Sequence, residues 1–547
     1  MDKRKELLGP DHPDTLQAIS NLAATYQHLG RYAKAEPLQI QVMNKRKELL
    51  GSDHLHTLEA ISGLAVTYRY LGRYTEAEIL EIQVMDKRKE LLGLDHPHTL
   101  QAISNMAATY QYLGRYAKAE PLQIQVMDKR KDLLGPDHPD TLQAISNLAV
   151  TYRYLGRYTE AEILEIQVMD KRKELLFPDH PHTLHAISNL AATYQHLGRY
   201  AEAEPLQIQV MDKRKDLLGP DHPDTLQAIS NMAVTYQYLG KHAEAEALDI
   251  QMMEKRKELL GPDHPDTLHA ISNLAATYWH LGRYAEAEAL EIQVMDKRKD
   301  LLGPDHPDTL HAISNLAVTY QYLGRYAEAE PLEIQVMDKR KELLGSDHPH
   351  TLQAISNLAV IYWYLGRYAE AETLDIQVVD KRKELLGSDH PDTLEAMANL
   401  VVTYQNLGRY PEAEMLDIQV MDKRKELLGP DHPDTLLAMA SLAVTYWNLG
   451  RYTEAEALEI QVMDKRKELL DSEHPDTLEA MANLAATYVS LNKLPEAQNL
   501  LVSVIEKRMQ ILGLNHKYTQ SSIKDMYDLR MLKLKPTATK MMYSQQN

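Results

Sequence analysis

The strongest constraint in this sequence is a histidine that returns every 42 residues. His12 is followed by His54, His96, His138, His180, His222, His264, His306, His348, His390, His432, His474 and His516, with no insertion or deletion between any two. A period this regular marks a stacked array, in which each unit buries its apolar face on its neighbours. Length alone, 547 residues, would suggest several ordinary domains, and the repeat overrides that reading.

Each unit divides in two. In the first half Leu16, Ile19, Leu22, Ala23, Tyr26 and Leu29 fall at helical spacing, and in the second half Tyr32, Ala35, Leu38, Val42, Leu49 and Leu50 broadly do the same. Glycine punctuates the halves. Of 23 glycines, eleven follow the first half (Gly30, Gly72 and their equivalents, with Asn492 in the twelfth unit) and eleven follow the second (Gly9, Gly51 and so on). Gly or Asn just past a helix supplies a left-handed cap. A His-Pro pair at 11 of the 13 histidines places Pro near the start of the next helix, where its missing N–H costs nothing. Pro37, Pro121, Pro205 and Pro331 are expected in the first turns of second helices, where Pro is tolerated. The pattern predicts an all-α solenoid of about twelve antiparallel helix pairs. Residues 1–11 would be a partial helix, 12–513 twelve complete units, 514–535 a capping helix and 536–547 a flexible tail.

Composition narrows the function classes. The net charge of −19 disfavours binding to nucleic acid, whose phosphates an acidic chain repels. There is no cysteine, so disulfides, thiol catalysis and thiolate metal sites are excluded. No apolar run approaches the ~20 residues of a membrane-spanning helix, and no signal-peptide stretch follows the first residues. A cytoplasmic protein that binds neither membrane nor nucleic acid is expected. Met1 aligns with Met43, Met85 and Met127 inside the second helix. The chain thus begins in mid-helix, either at a true start or at a repeat methionine within a longer protein.

The segments Leu22-Ala23-x-x-Tyr26, Gly30-x-Tyr32-x-x-Ala35-Glu36 and Leu50-Gly51-x-Asp53-His54 resemble the tetratricopeptide repeat, in the 42-residue variety of kinesin light chains. Ile19, Ala23 and Gln39 depart from the general pattern. The resemblance implies a right-handed superhelix and a non-catalytic scaffold or adaptor, free of cofactors, that holds extended segments of other proteins in its concave groove. Kinesin light chains carry a heptad segment, and NLR-like (STAND) ATPases carry similar sensor arrays behind a phosphate-binding loop; neither feature occurs here. A sensor arm of such an ATPase and a kinesin light chain-like cargo adaptor are therefore the alternatives.

Comparing the units with one another locates candidate binding residues. The most variable series contains Arg69, Arg153, Trp279, Trp363 and Trp447, and the next contains Tyr322 and Tyr364. Trp, Tyr and Arg are typical binding anchors; drift on a solvated surface is the other explanation. One polar position hardly varies: Asn21, Asn105, Asn147, Asn189, Asn231, Asn273, Asn315, Asn357, Asn399 and Asn483. An amide that donates and accepts suits a peptide backbone, as the resemblance also implies, and it equally suits a hydrogen bond to the adjacent unit. The His-x-His pairs, such as His54 and His56, are assigned to turns, because units stacked ~8–10 Å apart cannot share one metal ion. The recurrent Asp-Lys-Arg-Lys runs are expected to be solvated helix ends. Phe177 stands where eleven units have Gly and is expected to be strained in a left-handed cap.

Overall fold

The computed structural model describes residues 6–28, 31–514 and 516–543, with the side chains of 6–27, 31–514 and 516–531. Twelve helix pairs run from Pro13–His28 and Tyr32–Leu50 to Pro475–Ser490 and Leu494–Leu512. First helices have 16 residues and second helices 19. A final helix, Lys517–Tyr543, follows, and it continues past Pro536, where the sequence suggests a tail. Residues 1–5 and 544–547, part of the expected partial helix and tail, lie outside the described residues.

The core is shared between units rather than owned by them. Leu58 and Ile61 of one first helix meet Val84 of the paired second helix and Ala102 of the next unit, with Met43 of the preceding unit closing the cluster. The same grouping recurs as Leu100, Ile103, Val126 and Ala144, and again down the array. Each fully buried Leu or Ile contributes roughly 1.5–3 kcal/mol, and an isolated unit would lose the part of it supplied by its neighbours.

The recurrent histidine is the N-cap of each first helix. His138 Nδ1 accepts the N–H of Asp140 at 3.1 Å, and His54 Nδ1 that of His56 at 3.2 Å. Pro follows at the first helical position. Three expectations need correction. The glycine after each second helix is not in a left-handed helical cap: Gly51 has φ 91° and ψ 164°, a region that essentially only glycine occupies. Pro37 is the sixth residue of its helix, beyond the first turn, so it removes one intrahelical hydrogen bond. The basic runs are not wholly solvated: Arg46, Arg88 and Arg340 are buried, and each donates through Nη1 to a backbone carbonyl ten residues on, at 2.9–3.1 Å. These guanidiniums hold the start of the next unit, while Lys87 pairs outside with Asp53 and Glu90.

First helices of successive units lie closer together than second helices do, so the array curves with the first helices on its inner side. The curvature brings the chain back onto itself after 236 residues. His306 Nε2 reaches the carbonyl of Tyr70 at 3.2 Å, His348 that of Tyr112 at 3.2 Å, His390 that of Tyr154 at 3.1 Å and His432 that of His196 at 3.2 Å. Each Nδ1 already accepts a backbone N–H, so each Nε2 carries the proton and donates. A Cβ on Gly72 would stand 2.2 Å from Pro307 Cγ, and one on Gly156 2.3 Å from Pro391 Cδ. These glycines therefore allow a close approach as well as a turn. Unit n thus meets unit n+6 along a continuous seam between superhelical turns.

Candidate functional site

The inner stripe of each first helix is formed by positions spaced four and seven apart, one and two helical turns: the Gln17 position, the Asn21 position and the Tyr70 position of their units. Asn105, Asn189, Asn231, Asn273, Asn357 and Asn399 each donate to a serine hydroxyl of the preceding unit, as in Asn105 Nδ2 to Ser62 Oγ at 3.2 Å. The amide oxygens of Asn21, Asn105, Asn147, Asn231 and Asn357 accept from a glutamine one turn earlier, as in Gln101 Nε2 to Asn105 at 2.9 Å. Asn315, Asn399 and Asn483 occupy the same half-buried position. The ladder therefore ties units together. At Asn105 and Asn231, where both bonds form, the amide keeps one N–H and one acceptor lone pair beyond them, whereas Asn357 spends its second N–H on Glu333 Oε1 at 3.2 Å.

The variable series also has internal partners. Arg69 Nη1 donates to the Asn105 carbonyl at 3.0 Å, and Arg153 Nη1 to the Asn189 carbonyl at 3.2 Å, with Glu165 at 3.7 Å. Trp279 Nε1 donates to Thr319 Oγ1 at 2.8 Å and Trp447 Nε1 to Ser490 Oγ at 3.0 Å, whereas Trp363 Nε1 is buried without a partner. Gln27 makes the corresponding bond to Thr67. Gln27, Arg69, Arg153, Trp279 and Trp447 thus each span to the next unit, whereas Trp363 does not bond there. Trp447 is still 39 % exposed.

Tyr322 stacks on Tyr284 at 5.3 Å and Tyr364 on Tyr326 at 4.7 Å, yet both remain about half exposed. Trp279 lies 6.4 Å from Tyr322, and Trp363 meets Tyr364 edge-on at 4.3 Å. Lys517, from the start of the last helix, sits 5.3 Å from the Tyr284 ring, 5.6 Å from Tyr322 and 5.1 Å from Tyr518. Nothing in the sequence signals this aromatic surround, because its members are brought together by the superhelix. His185, His269 and His311 line the same inner stripe and are solvent-accessible. Their surroundings are nonetheless crowded: desolvation, then Arg298 and Arg340, lower the His311 pKa to about 4.

Behind the inner stripe runs a second ladder that sequence reasoning passed over. Glu81, Glu165, Asp249, Glu291, Glu333, Asp375, Asp417 and Glu459 occupy the Gln39 position and are buried. Asp375 accepts from Thr403 Oγ1 of the next unit at 2.6 Å, while neither oxygen of Glu81 or of Glu291 is in a well-formed hydrogen bond. Burial pushes the Glu81 carboxyl up to about 7 and that of Glu291 up to about 8. Among the described residues no helix is long and apolar enough to cross a membrane.

A tetratricopeptide repeat profile, TPR_12, matches residues 14–90, 98–174, 182–251, 224–300 and 270–342. A second, TPR_10, matches 351–392, 393–434, 435–476 and 477–517. No curated protein matches the chain. Among solved structures, the nearly identical TPR-like repeats of a putative kinesin light chain from Podosopora anserina are 31% identical, with 38% of this chain and 97% of that chain covered and a TM-score of 0.34. BtubC (BKLC) from P. vanneervenii is 20% identical, over 43% of this chain and 92% of that one, with a TM-score of 0.34. A Rap protein complexed with competence and sporulation factor is 13% identical, over 68% and 98%, with a TM-score of 0.46.

Proposed function

Because this chain belongs to the tetratricopeptide repeat family, we propose that it is a non-catalytic cytoplasmic scaffold that holds extended segments of other proteins along the inner face of its superhelix. The observation that carries this reading is the Asn ladder. Apart from the exposed Asn21 its amides are half-buried, several are pinned by inter-unit bonds such as Asn273 to Ser230, and amides such as Asn105 and Asn231 have hydrogen-bonding capacity left over. A side chain already fixed loses little further freedom when it binds. Successive units advance ~10 Å and an extended peptide ~3.3 Å per residue, so one amide would meet the ligand backbone about every third residue. The residues between would face Tyr364, Trp447 and the inner histidines, which would set sequence preference.

Arg69 and Arg153 fit this role less well than the sequence suggests, since their guanidiniums are occupied by the neighbouring unit. The test is a peptide array followed by fluorescence anisotropy on the hits. Asn273→Ala, Asn315→Ala and Asn357→Ala are each expected to weaken unrelated peptides alike by roughly 0.5–1.5 kcal/mol, whereas Trp447→Ala weakens only some. Peptide affinity unchanged by all three Asn substitutions would refute the groove reading.

A further inference from the structure

The seam between superhelical turns uses two edges of the array, and each edge is only partly consumed. On the histidine edge, the side chains of His306, His432 and His474 are 6%, 5% and 9% exposed because they lie in the seam. The same side chain in His12, His138 and His222 is 41%, 39% and 40% exposed. On the glycine edge, Gly72, Gly114, Gly156 and Gly198 abut a proline six units on, whereas Gly324, Gly366, Gly408 and Gly450 face open space. The chemistry of the open edges matches that of the closed ones. His96-Pro97 and His138-Pro139 repeat His306-Pro307 and His348-Pro349. The open glycine edge presents the last carbonyls of first helices, which have no intrahelical partner and are the groups the seam histidines bind. The positive end of one helix dipole also meets the negative end of another at every seam contact.

We propose that a second copy of this chain docks its open histidine edge on the open glycine edge of the first, so that the internal seam is repeated between molecules. The contact is heterologous: each copy offers one donor edge and one acceptor edge, and docking leaves one of each exposed. Association is therefore open-ended and extends the superhelix, instead of closing as a dimer. The occupant follows from continuity with a seam that this chain already makes with itself at five or more successive units.

Sedimentation velocity and light scattering on the 547-residue chain over two decades of concentration provide the test. The average mass is expected to rise past that of a dimer. His96→Asn with His138→Asn removes two Nε2 donors from the open edge, preserves the caps because Asn is among the best N-cap residues, and does not touch the internal seam. This variant is expected to associate at least tenfold more weakly. Gly408→Ala with Gly450→Ala blocks the opposite edge with two methyl groups and has the same expected effect. A mixture of the two variants, each retaining one intact edge, is expected to form one-to-one dimers and nothing larger. A mass independent of concentration, growth that stops at a dimer of the parent chain, or a mixture of variants that stays monomeric would each overturn the proposal.

Discussion

Glu291 lies in the middle of the array, fully buried beside the Asn315 amide, with neither carboxylate oxygen in a well-formed hydrogen bond. Burial raises its pKa from the usual 4.5 to about 8, and Arg298 and Asn315 offset only part of that. A carboxyl whose pKa is raised by folding favours the folded state most when it is protonated in both states, below pH 4.5. That contribution is lost as the pH climbs from 4.5 through 8, because only the unfolded chain releases the proton freely. At 1.36 kcal/mol per pH unit, the full loss by pH 9 is roughly 3–5 kcal/mol. Glu291→Gln keeps the shape, adds donors and removes the titration, and Gln39, Gln123 and Gln207 show that the site accepts glutamine. The expected outcome in urea unfolding is near-neutrality at pH 4.5 and a stabilisation of a few kcal/mol at pH 9. If Glu291→Gln gives the same change at both pH values, or destabilises at pH 9, the carboxylate is hydrated or paired in solution and the reasoning fails.

Phe177 has φ 70° and ψ 159° with its ring exposed, so Phe177→Gly removes strain without removing packing and should raise stability by about 1–3 kcal/mol in the same assay. Asp471 has a similar backbone, but its Oδ1 accepts from the N–H groups of Glu473 and His474, so Asp471→Gly should gain less. Pro331 is exposed at the sixth position of its helix, where Ala247 and Ala289 stand in other units; Pro331→Ala should stabilise by roughly 1–3 kcal/mol, and a loss would show that the missing hydrogen bond is made elsewhere. Acid should open the seam. Desolvation lowers the His348 pKa to about 4, against the contact with Tyr112, and Arg340, Arg115 and His350 act in the same direction as desolvation. Its contribution is complete above about pH 6.5 and is lost as the pH falls toward 4, when Nδ1 gains a proton and can no longer accept. X-ray scattering should show the array lengthening over that range with helical content retained, and an unchanged radius of gyration at pH 4 would contradict it.

The helix pairs, their ends and the shared core were legible because they rest on local spacing: Leu58, Ile61 and Val84 declare their faces within one unit. The N-cap role of His54 was harder to see, since histidine also suits the turn to which it was assigned. The burial of Arg88 and Glu81 was hidden because a polar residue at one position of a repeat looks the same whether it faces water or the next unit. The Asn ladder was visible as invariance among units, but invariance alone does not separate a bond to Ser62 from a bond to a ligand. The seam had no local signature. It arises from a small rotation per unit accumulated over six units, and Gly72 meets Pro307 only as the sum of those rotations.

The seam also gives the array a length threshold. In an ordinary solenoid each added unit contributes its own term and one interface, so stability grows in equal steps. Here a seam bond such as that between Tyr70 and His306 joins residues 236 apart. An array of six units or fewer cannot form any such bond, while every unit added beyond that point brings a second interface along with the first. Growth by duplication of near-identical units therefore passes from a regime of simple lengthening to one in which the coil locks onto itself. Cooperativity should rise at that point, because fraying a terminal unit of a long array must break contacts with two neighbours, one of them six units away.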